Sequence, residues 1–456
     1  MRLLALVLAM APALAHGEQV LRAGPMRAWT ELRSAAVWVQ SERPADVQLR
    51  YFPAAAPAAA RLTPVVTTTA ARELTATFVL ADLEPGTRYG YEVYVDGARV
   101  ERPYPLELVT QPLWQWRGPA PDFEAMFGSC LYVNEDPYDR PGKPYGSEFE
   151  ILAAMAARRP DLMLWLGDNL YFREADFFSA QGLAARYRHD RALPELQPLL
   201  AATSHWATWD DHDYGPNNSD FTYPLKGAAL VLFGLYWPAP AYGTPETAGV
   251  FQKVSWGDVD FFLLDDRTYR TPNDWPPGPD KTMLGRAQME WLKASLVASG
   301  AVFKVVVNGN QVLNANSRHE TMTAFADTGE ILAWIARNRI EGVLFLSGDR
   351  HHAELVRIAR PGGYPLYDFT SSSLTAGVHV MQPDDPEYAN PLRVDGTLAM
   401  EHNFGVVRFS GPPKQRRATL QLCGADGGVR WERTITREEL SFPQQESGKK
   451  PGTPRR

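Results

Sequence analysis

Leu162-Met163-Leu164-Trp165-Leu166-Gly167-Asp168-Asn169-Leu170-Tyr171 opens with five consecutive apolar residues and ends in a turn carrying a carboxylate and a phenol. A short apolar run without polar alternation suits a strand covered on both faces, as in a largely parallel sheet. The same hand-over recurs along the chain. Trp206-Ala207-Thr208-Trp209 runs into Asp210-Asp211-His212-Asp213, and Phe261-Phe262-Leu263-Leu264 into Asp265-Asp266-Arg267. Val305-Val306-Val307 runs into Asn308-Gly309-Asn310, and Val343-Leu344-Phe345-Leu346 into Ser347-Gly348-Asp349-Arg350-His351-His352. In an open α/β sheet these carboxyl ends face one crevice, where ligands bind. A single Asp after a strand serves equally well as a helix cap. Its repetition at five strand ends points to a shared pocket instead.

Carboxylates brought together repel one another and need cations to stay ionised. Mixed oxygen and imidazole donors suit a catalytic site with two or more metal ions. Such a site lowers the pKa of bound water from about 16 to about 7, giving a hydroxide nucleophile at neutral pH. Two ions also clamp the attacking and leaving oxygens of a phosphoryl displacement. His212, between Asp211 and Asp213, suits protonation of the leaving alcohol. A further metal ligand or a structural hydrogen bond is the alternative role for this residue.

Composition bounds the rest. At 456 residues the chain is long enough for two domains. Its 45% hydrophobic content, with 13 Trp and 18 Tyr, supports a sizeable core. A net charge of −7 argues against nonspecific nucleic-acid binding by the whole molecule. Met1-Arg2-Leu3-Leu4 and the apolar run that follows, closed by Ala13-Leu14-Ala15, read as a secretory signal over 1–15. No later stretch is apolar for long enough to suggest a membrane span, so export to the periplasm or the medium is expected. The two cysteines, Cys130 and Cys423, are either a disulfide or, for Cys130, available for chemistry.

Residues 20–112 read as all-β. Ala35-Ala36-Val37-Trp38-Val39-Gln40, Val47 to Phe52 and Leu74 to Leu80 are short β-branched and aromatic runs separated by turns. Leu83-Glu84-Pro85-Gly86-Thr87-Arg88-Tyr89-Gly90-Tyr91 resembles the tyrosine corner of a fibronectin type III sandwich. The Ala-rich run from Ala54 to Ala60 reads as a loop. A Pro-rich stretch from Pro103 to Pro121 marks a boundary, and 122–440 then alternates strands with helices. Met289, Leu292 and Leu296 share one helical face, as do Ile331, Trp334 and Ile335. The tail over 443–456 is polar and reads as disordered.

In these motifs the chain resembles the alkaline phosphatase D family of metallophosphoesterases. The resemblance rests on Phe127-Gly128-Ser129-Cys130, Gly167-Asp168-Asn169-Leu170-Tyr171, Thr208-Trp209-Asp210-Asp211-His212-Asp213, Leu264-Asp265-Asp266-Arg267-Thr268-Tyr269-Arg270 and Leu346-Ser347-Gly348-Asp349-Arg350-His351-His352. It implies a calcineurin-like α/β sandwich of two sheets flanked by helices. It implies iron(III) held by Cys130, Asp168, Tyr171 and His351, with calcium or another divalent ion nearby. Asp168 would bridge the metals, Asp211 and Asp349 would serve the second, and His212 would take the place of the family's proton donor. Arg267 is a candidate phosphate contact or a structural residue, and Asn217, Asn218 and Asn310 are further oxygen donors. Two departures stand out: Met1-Arg2-Leu3-Leu4 lacks the twin arginine frequent in the family, and a Tyr-Gly-Pro insertion follows Asp213. The expected activity is hydrolysis of phosphate mono- or diesters. The alternatives are a phospholipase of the D type, with Phe233, Tyr236, Trp237 and Tyr242 as a lipid-accepting rim though core is the more usual role for such a cluster, and a noncatalytic surface-binding protein.

Overall fold

The computed structural model describes residues 20–314 and 321–443. The signal reading over 1–15 and nearly all of the tail over 443–456 fall outside those residues. Two six-stranded sheets form the body of the molecule after residue 122. The first runs in the order Ser204–Thr208, Leu162–Leu166, Phe123–Gly128, Asn403–Ser410, Arg417–Gly424, Val429–Thr436. The second runs Gln252–Trp256, Val259–Leu263, Phe303–Asn308, Val343–Ser347, Leu366–Thr370, Glu354–Ile358. Both are mixed rather than wholly parallel. Each joins a parallel set of apolar strands to antiparallel neighbours.

Aromatic side chains knit the two inner faces together. Phe127 meets Phe369 edge-on at 4.9 Å, and Phe409 meets Phe303 at 5.5 Å. Outside the first sheet, Tyr187 of helix Ala180–Arg191 stacks on Tyr236 of helix Lys226–Tyr236 at 4.6 Å. Outside the second, helix Gly285–Ala298 buries Met289, Leu292 and Leu296, the face expected from their spacing, and leaves Arg286 exposed. Helix Ala326–Arg337 buries Ile331 and Ile335, with Trp334 half-buried.

Strand register sets the position of the pocket. In the first sheet Leu166 lies beside Thr208, and in the second Val307 lies beside Leu346 and Asn308 beside Ser347. The parallel strands therefore stop level with one another. The two rims are tied where they meet by the indole N–H of Trp209, which donates to Asp265 Oδ1 at 2.8 Å, and within the second rim Gly348 N–H donates to Gly309 O at 2.8 Å.

Residues 20–112 form a three-stranded sheet (Leu21–Thr30, Ala35–Ser41, Thr75–Leu80) and a second sheet centred on Asp46–Pro53 and Arg88–Val95. Within the Ala-rich run, Pro57–Ala59 makes one turn of 3₁₀ helix, where a plain loop was expected. Glu84 N–H donates to the Tyr89 hydroxyl at 2.8 Å, the contact a tyrosine corner requires.

Strand Ala35–Ser41 is buried along its whole length, because its two faces enter different cores. Ala35, Val37 and Val39 pack into the sandwich, whereas Ala36 and Trp38 join the core of the following sheets. Trp38 donates its indole N–H to Leu235 O at 2.8 Å, and Ser204 Oγ donates to Thr30 Oγ1 at 3.0 Å. Phe233, Tyr236 and Trp237 are buried and Tyr242 is half-buried against the same core, so the cluster is core and not a lipid-accepting rim. Trp38→Ala removes a fully buried indole shared by both layers. It is expected to lower unfolding free energy by about 3–5 kcal/mol in urea titration, with both layers losing stability together.

Candidate metal centre

The turns that carry the candidate ligands have an uncommon backbone. Cys130, Asp168, Asp349 and His351 all take positive φ, between 51° and 68°. Non-glycine residues adopt this region only when their surroundings enforce it. Two glycines show what enforces it here. A Cβ on Gly167 would sit 2.5 Å from Asp210 Cβ, and one on Gly348 would sit 2.4 Å from Ser129 Oγ. The Gly-Asp turns are thus pressed against neighbouring ligand turns, and only a residue without a side chain fits.

Asp213 fixes the same region from below. Its carboxylate accepts the backbone N–H groups of Asp168 at 3.3 Å, Asn169 at 3.1 Å and Asp210 at 2.7 Å, and the amide of Asn169 at 2.6 Å. It therefore locks the turn after one strand to the turn after the next. In the sequence it stood out only as a flank of His212.

Three overlapping groups of donors result. One potential ligand atom each from Cys130, Asp168 and His351 lies within 4.8 Å of the others, and the same holds for Asp168, Asp211 and His212, and for Asp210, Asp211 and Asp349. Asp168 belongs to the first two groups, and Asp211 to the last two. Tyr171 joins the first, its hydroxyl 3.2 Å from His351 Nε2. The other ring nitrogen, His351 Nδ1, lies against Gly377 O and 3.2 Å from the Tyr145 hydroxyl. Since a carbonyl only accepts, Nδ1 carries the proton and Nε2 presents its lone pair to the pocket.

Cations fit these residues. Asp211 Oδ1, His212 Nδ1 and Asn218 Oδ1 are buried without a hydrogen-bond partner among the described residues, a costly arrangement unless something else satisfies them. Burial pushes Asp168 far above the usual carboxylate range, and Asp211, Asp213 and Asp349 push it further. Burial followed by Asp168 does the same to the Cys130 thiol and the Tyr171 phenol. Protein charge alone thus favours the protonated forms, and nearby positive ions would reverse that preference. Burial also holds His351 down at about 4, leaving a neutral imidazole available as a ligand.

The structure places other candidates differently. Cys130 and Cys423 are both free thiols, so the disulfide alternative is excluded. Asp265 is not turned to the pocket: it accepts from Trp209, Val250, Arg267 and Thr268, and anchors its own loop. Asn310 Oδ1 accepts from Arg270 at 2.7 Å. Asn218 N–H donates to Asp211 Oδ2 at 2.5 Å while its side-chain oxygen stays free of hydrogen bonds. Asn217 lies farther out, in the wall of the neighbouring cavity.

Arg267 is fully buried and paired with Asp210, with Asp266 at 3.7 Å and Asp211 at 3.9 Å. Burial opposes its charge, but these carboxylates hold the guanidinium firmly protonated. Ser372, absent from the motifs, donates to Cys130 Sγ at 3.1 Å. A cavity of about 560 Å³ opens beside the centre, lined in part by Tyr132, Tyr138, Arg140, Tyr145, Tyr171 and His212.

A family model described as PhoD-like phosphatase matches residues 138–419. The chain belongs to the PhoD-like phosphatase family. The match covers every donor in the three groups except Cys130. A second model, for a domain of unknown function (DUF7800), matches residues 18–112. Alkaline phosphatase D of Bacillus subtilis (strain 168) is 24% identical over 248 residues, covering 43% of this chain and 42% of the relative. The alignment thus spans less than half of that protein. A solved structure of PhoD superimposes with a TM-score of 0.73 at 17% identity, covering 96% of this chain and 95% of that one. Purple acid phosphatase PPD1 from yellow lupin (Lupinus luteus) seeds gives 0.65 at 13% identity, covering 93% and 77%. These likenesses give this PhoD-like phosphatase a metallophosphoesterase-like α/β fold.

The buried charge pair predicts how Arg267 behaves. Arg267→Met strands Asp210 without its cation and is expected to cost about 3–5 kcal/mol of stability. An Arg267 acting only as a phosphate ligand would instead raise KM and leave the urea midpoint unchanged.

Proposed function

We propose that this chain is an exported, metal-dependent phosphoesterase acting on phosphate mono- or diesters, with 122–440 as its catalytic unit. The observation that carries the reading is the position of Asp168. It belongs both to the group with Cys130 and His351 and to the group with Asp211 and His212. A carboxylate so placed would be a ligand common to both groups were each to hold a cation. In the proposed centre Cys130, Asp168, Tyr171 and His351 hold iron(III), because thiolate and phenolate donors suit a trivalent ion. Asp168, Asp211 and Asp349 hold a calcium ion or another oxygen-seeking divalent ion, with Asn218 as a further oxygen donor. Bound there, the cations keep these ligands deprotonated and supply Lewis acidity toward a phosphate ester.

The chain's own residues do the rest. Tyr171 lies over the His212 ring with centroids 4.1 Å apart, which restricts the imidazole's orientation. His212 N–H donates to Asp168 Oδ1 at 3.1 Å, fixing the backbone that carries the ring. His212 also lines the adjoining cavity, where it can give a proton to the departing alkoxide. Arg267 keeps Asp210 and Asp211 in place and acts as a positioning residue. The buried Phe233, Tyr236 and Trp237 remove the feature that favoured a lipid substrate. The run ending Ala13-Leu14-Ala15 supports export, and the Glu84–Tyr89 contact supports a fibronectin type III kind of sandwich over 20–112. Among the described residues no helix is long and apolar enough to cross a membrane.

Metal analysis with a visible spectrum tests the centre. The native protein is expected to contain iron and to show a tyrosinate-to-iron band that disappears in Tyr171→Phe. A colourless, iron-free and fully active enzyme would overturn the iron assignment. His212→Asn is expected to lower kcat on a nitrophenyl phosphate ester by about 10²–10⁴. Turnover of the monoester, the diester and phosphatidylcholine, measured side by side, separates the substrate classes.

A further inference from the structure

Between strands Leu366–Thr370 and Asn403–Ser410 the chain runs from 371 to 402 without a helix or strand of its own. It crosses the rim of the centre and touches the second sheet at isolated bridges, Ala353 with Ala399 and Val356 with Arg393. Loops of this length inside a compact body are uncommon and are usually held by something. This one carries His379 and Glu387. One nitrogen from each of His352 and His379 and one Glu387 oxygen lie within 4.8 Å of one another. None of the three belongs to the donor groups of the candidate centre.

The hydrogen bonding leaves the cluster open to a cation. His352 is fully buried, and its Nδ1 lies 3.0 Å from Arg350 O. A carbonyl can only accept, so Nδ1 faces it with its hydrogen and Nε2 is turned into the cluster. That Nε2 is buried with no hydrogen-bond partner, and Glu354 Oε1 lies 3.6 Å away. Arg350 occupies Glu387 Oε1, while Glu387 Oε2 is also buried with no partner. Glu354 is claimed by Arg393 at 2.6 Å. Asp385 Oδ2 stands 3.4 Å from His379 Nε2, where a carboxylate would orient a ligating imidazole. A buried ring nitrogen and a buried carboxylate oxygen, both without a hydrogen-bond partner in one cluster, are a costly combination that a divalent cation relieves.

We propose that His352, His379 and Glu387 form a separate zinc-class site that fastens loop 371–402 to the end of the second sheet. Two imidazoles, one carboxylate and a water make a usual zinc set, with ligand bonds of about 2.0–2.2 Å. Tetrahedral donors at that radius stand about 3.3–3.5 Å apart, so a spacing within 4.8 Å closes onto an ion by small side-chain movements. The site is tied directly to the candidate centre, since His379 N–H donates to His351 O at 2.9 Å.

The test uses the full chain, titrated with zinc against a chromophoric chelator, with total metals counted on the same samples. His379→Ala and Glu387→Gln are each expected to bind one zinc fewer per chain while keeping the iron of the candidate centre. Asp385→Asn is expected to weaken the same zinc about 10–100-fold. Zinc-edge absorption of the unsubstituted protein should show two imidazole ligands at the ion that the variants lose. His379 is partly exposed, so its variant should fold even if another does not. An equal zinc count in the unsubstituted chain and in both the His379→Ala and Glu387→Gln variants overturns the proposal, leaving a His352–Glu354 ion pair as the description of the cluster.

Discussion

Buried like charge governs this molecule. Asp168, Asp210, Asp211 and Asp349 are drawn into one small volume by the level ends of two sheets, where water cannot screen them. Two devices oppose the repulsion. Arg267 stands in the midst of Asp210, Asp211 and Asp266, and backbone N–H groups serve the carboxylate of Asp213. Arg267 stands 3.9 Å from the Asp211 oxygen without hydrogen-bonding it, and Asp168 stays raised by burial and by its carboxylate neighbours. What remains unbalanced is anionic and faces the imidazoles of His212 and His351, and that imbalance is the strongest physical argument for cations in the pocket.

The geometry also explains how a soft and a hard donor set coexist a few ångströms apart. Cys130, Tyr171 and His351 come from three different turns, with Ser372 hydrogen-bonded to the thiol and Tyr145 to the imidazole. The all-oxygen group of Asp210, Asp211 and Asp349 shares Asp211 with the group that contains Asp168. That carboxylate is held by a backbone N–H on one oxygen and approached by the thiol on the other. Its two oxygens therefore address different neighbours without any movement of the side chain.

Much of this was legible in the chain, and for definite reasons. Apolar runs such as Leu162–Leu166 cannot be exposed, so their ends had to be turns, and Asp168, Asp211, Asp349 and His351 followed from those turns. What the pattern could not distinguish was direction. Asp265 and Asp211 occupy the same kind of position after a strand, yet Asp265 turns inward to its own loop, because Trp209 and Val250 offer it donors. Nor could linear spacing reveal partners brought in from afar. Ser372 lies 242 residues from Cys130 and Tyr145 lies 206 from His351, both in stretches with no periodic signal. The aromatic cluster at Phe233–Trp237 is core, the more usual role for such residues, but its cover could not be foreseen: helix Lys226–Tyr236 meets Trp38, from a part of the chain that reads as a separate unit.

Strand Ala35–Ser41 also constrains how the chain can be made. During synthesis Trp38 leaves the ribosome 197 residues ahead of its acceptor at Leu235. The first sandwich can close around Val37 and Val39 early, but its other face stays bare of its cover through much of translation. A nascent chain in that state exposes a large aromatic surface, the kind that chaperones recognise and that aggregates when they are scarce. The same dependence weighs against moving this sandwich between proteins as an interchangeable module, because half of one strand belongs to its neighbour.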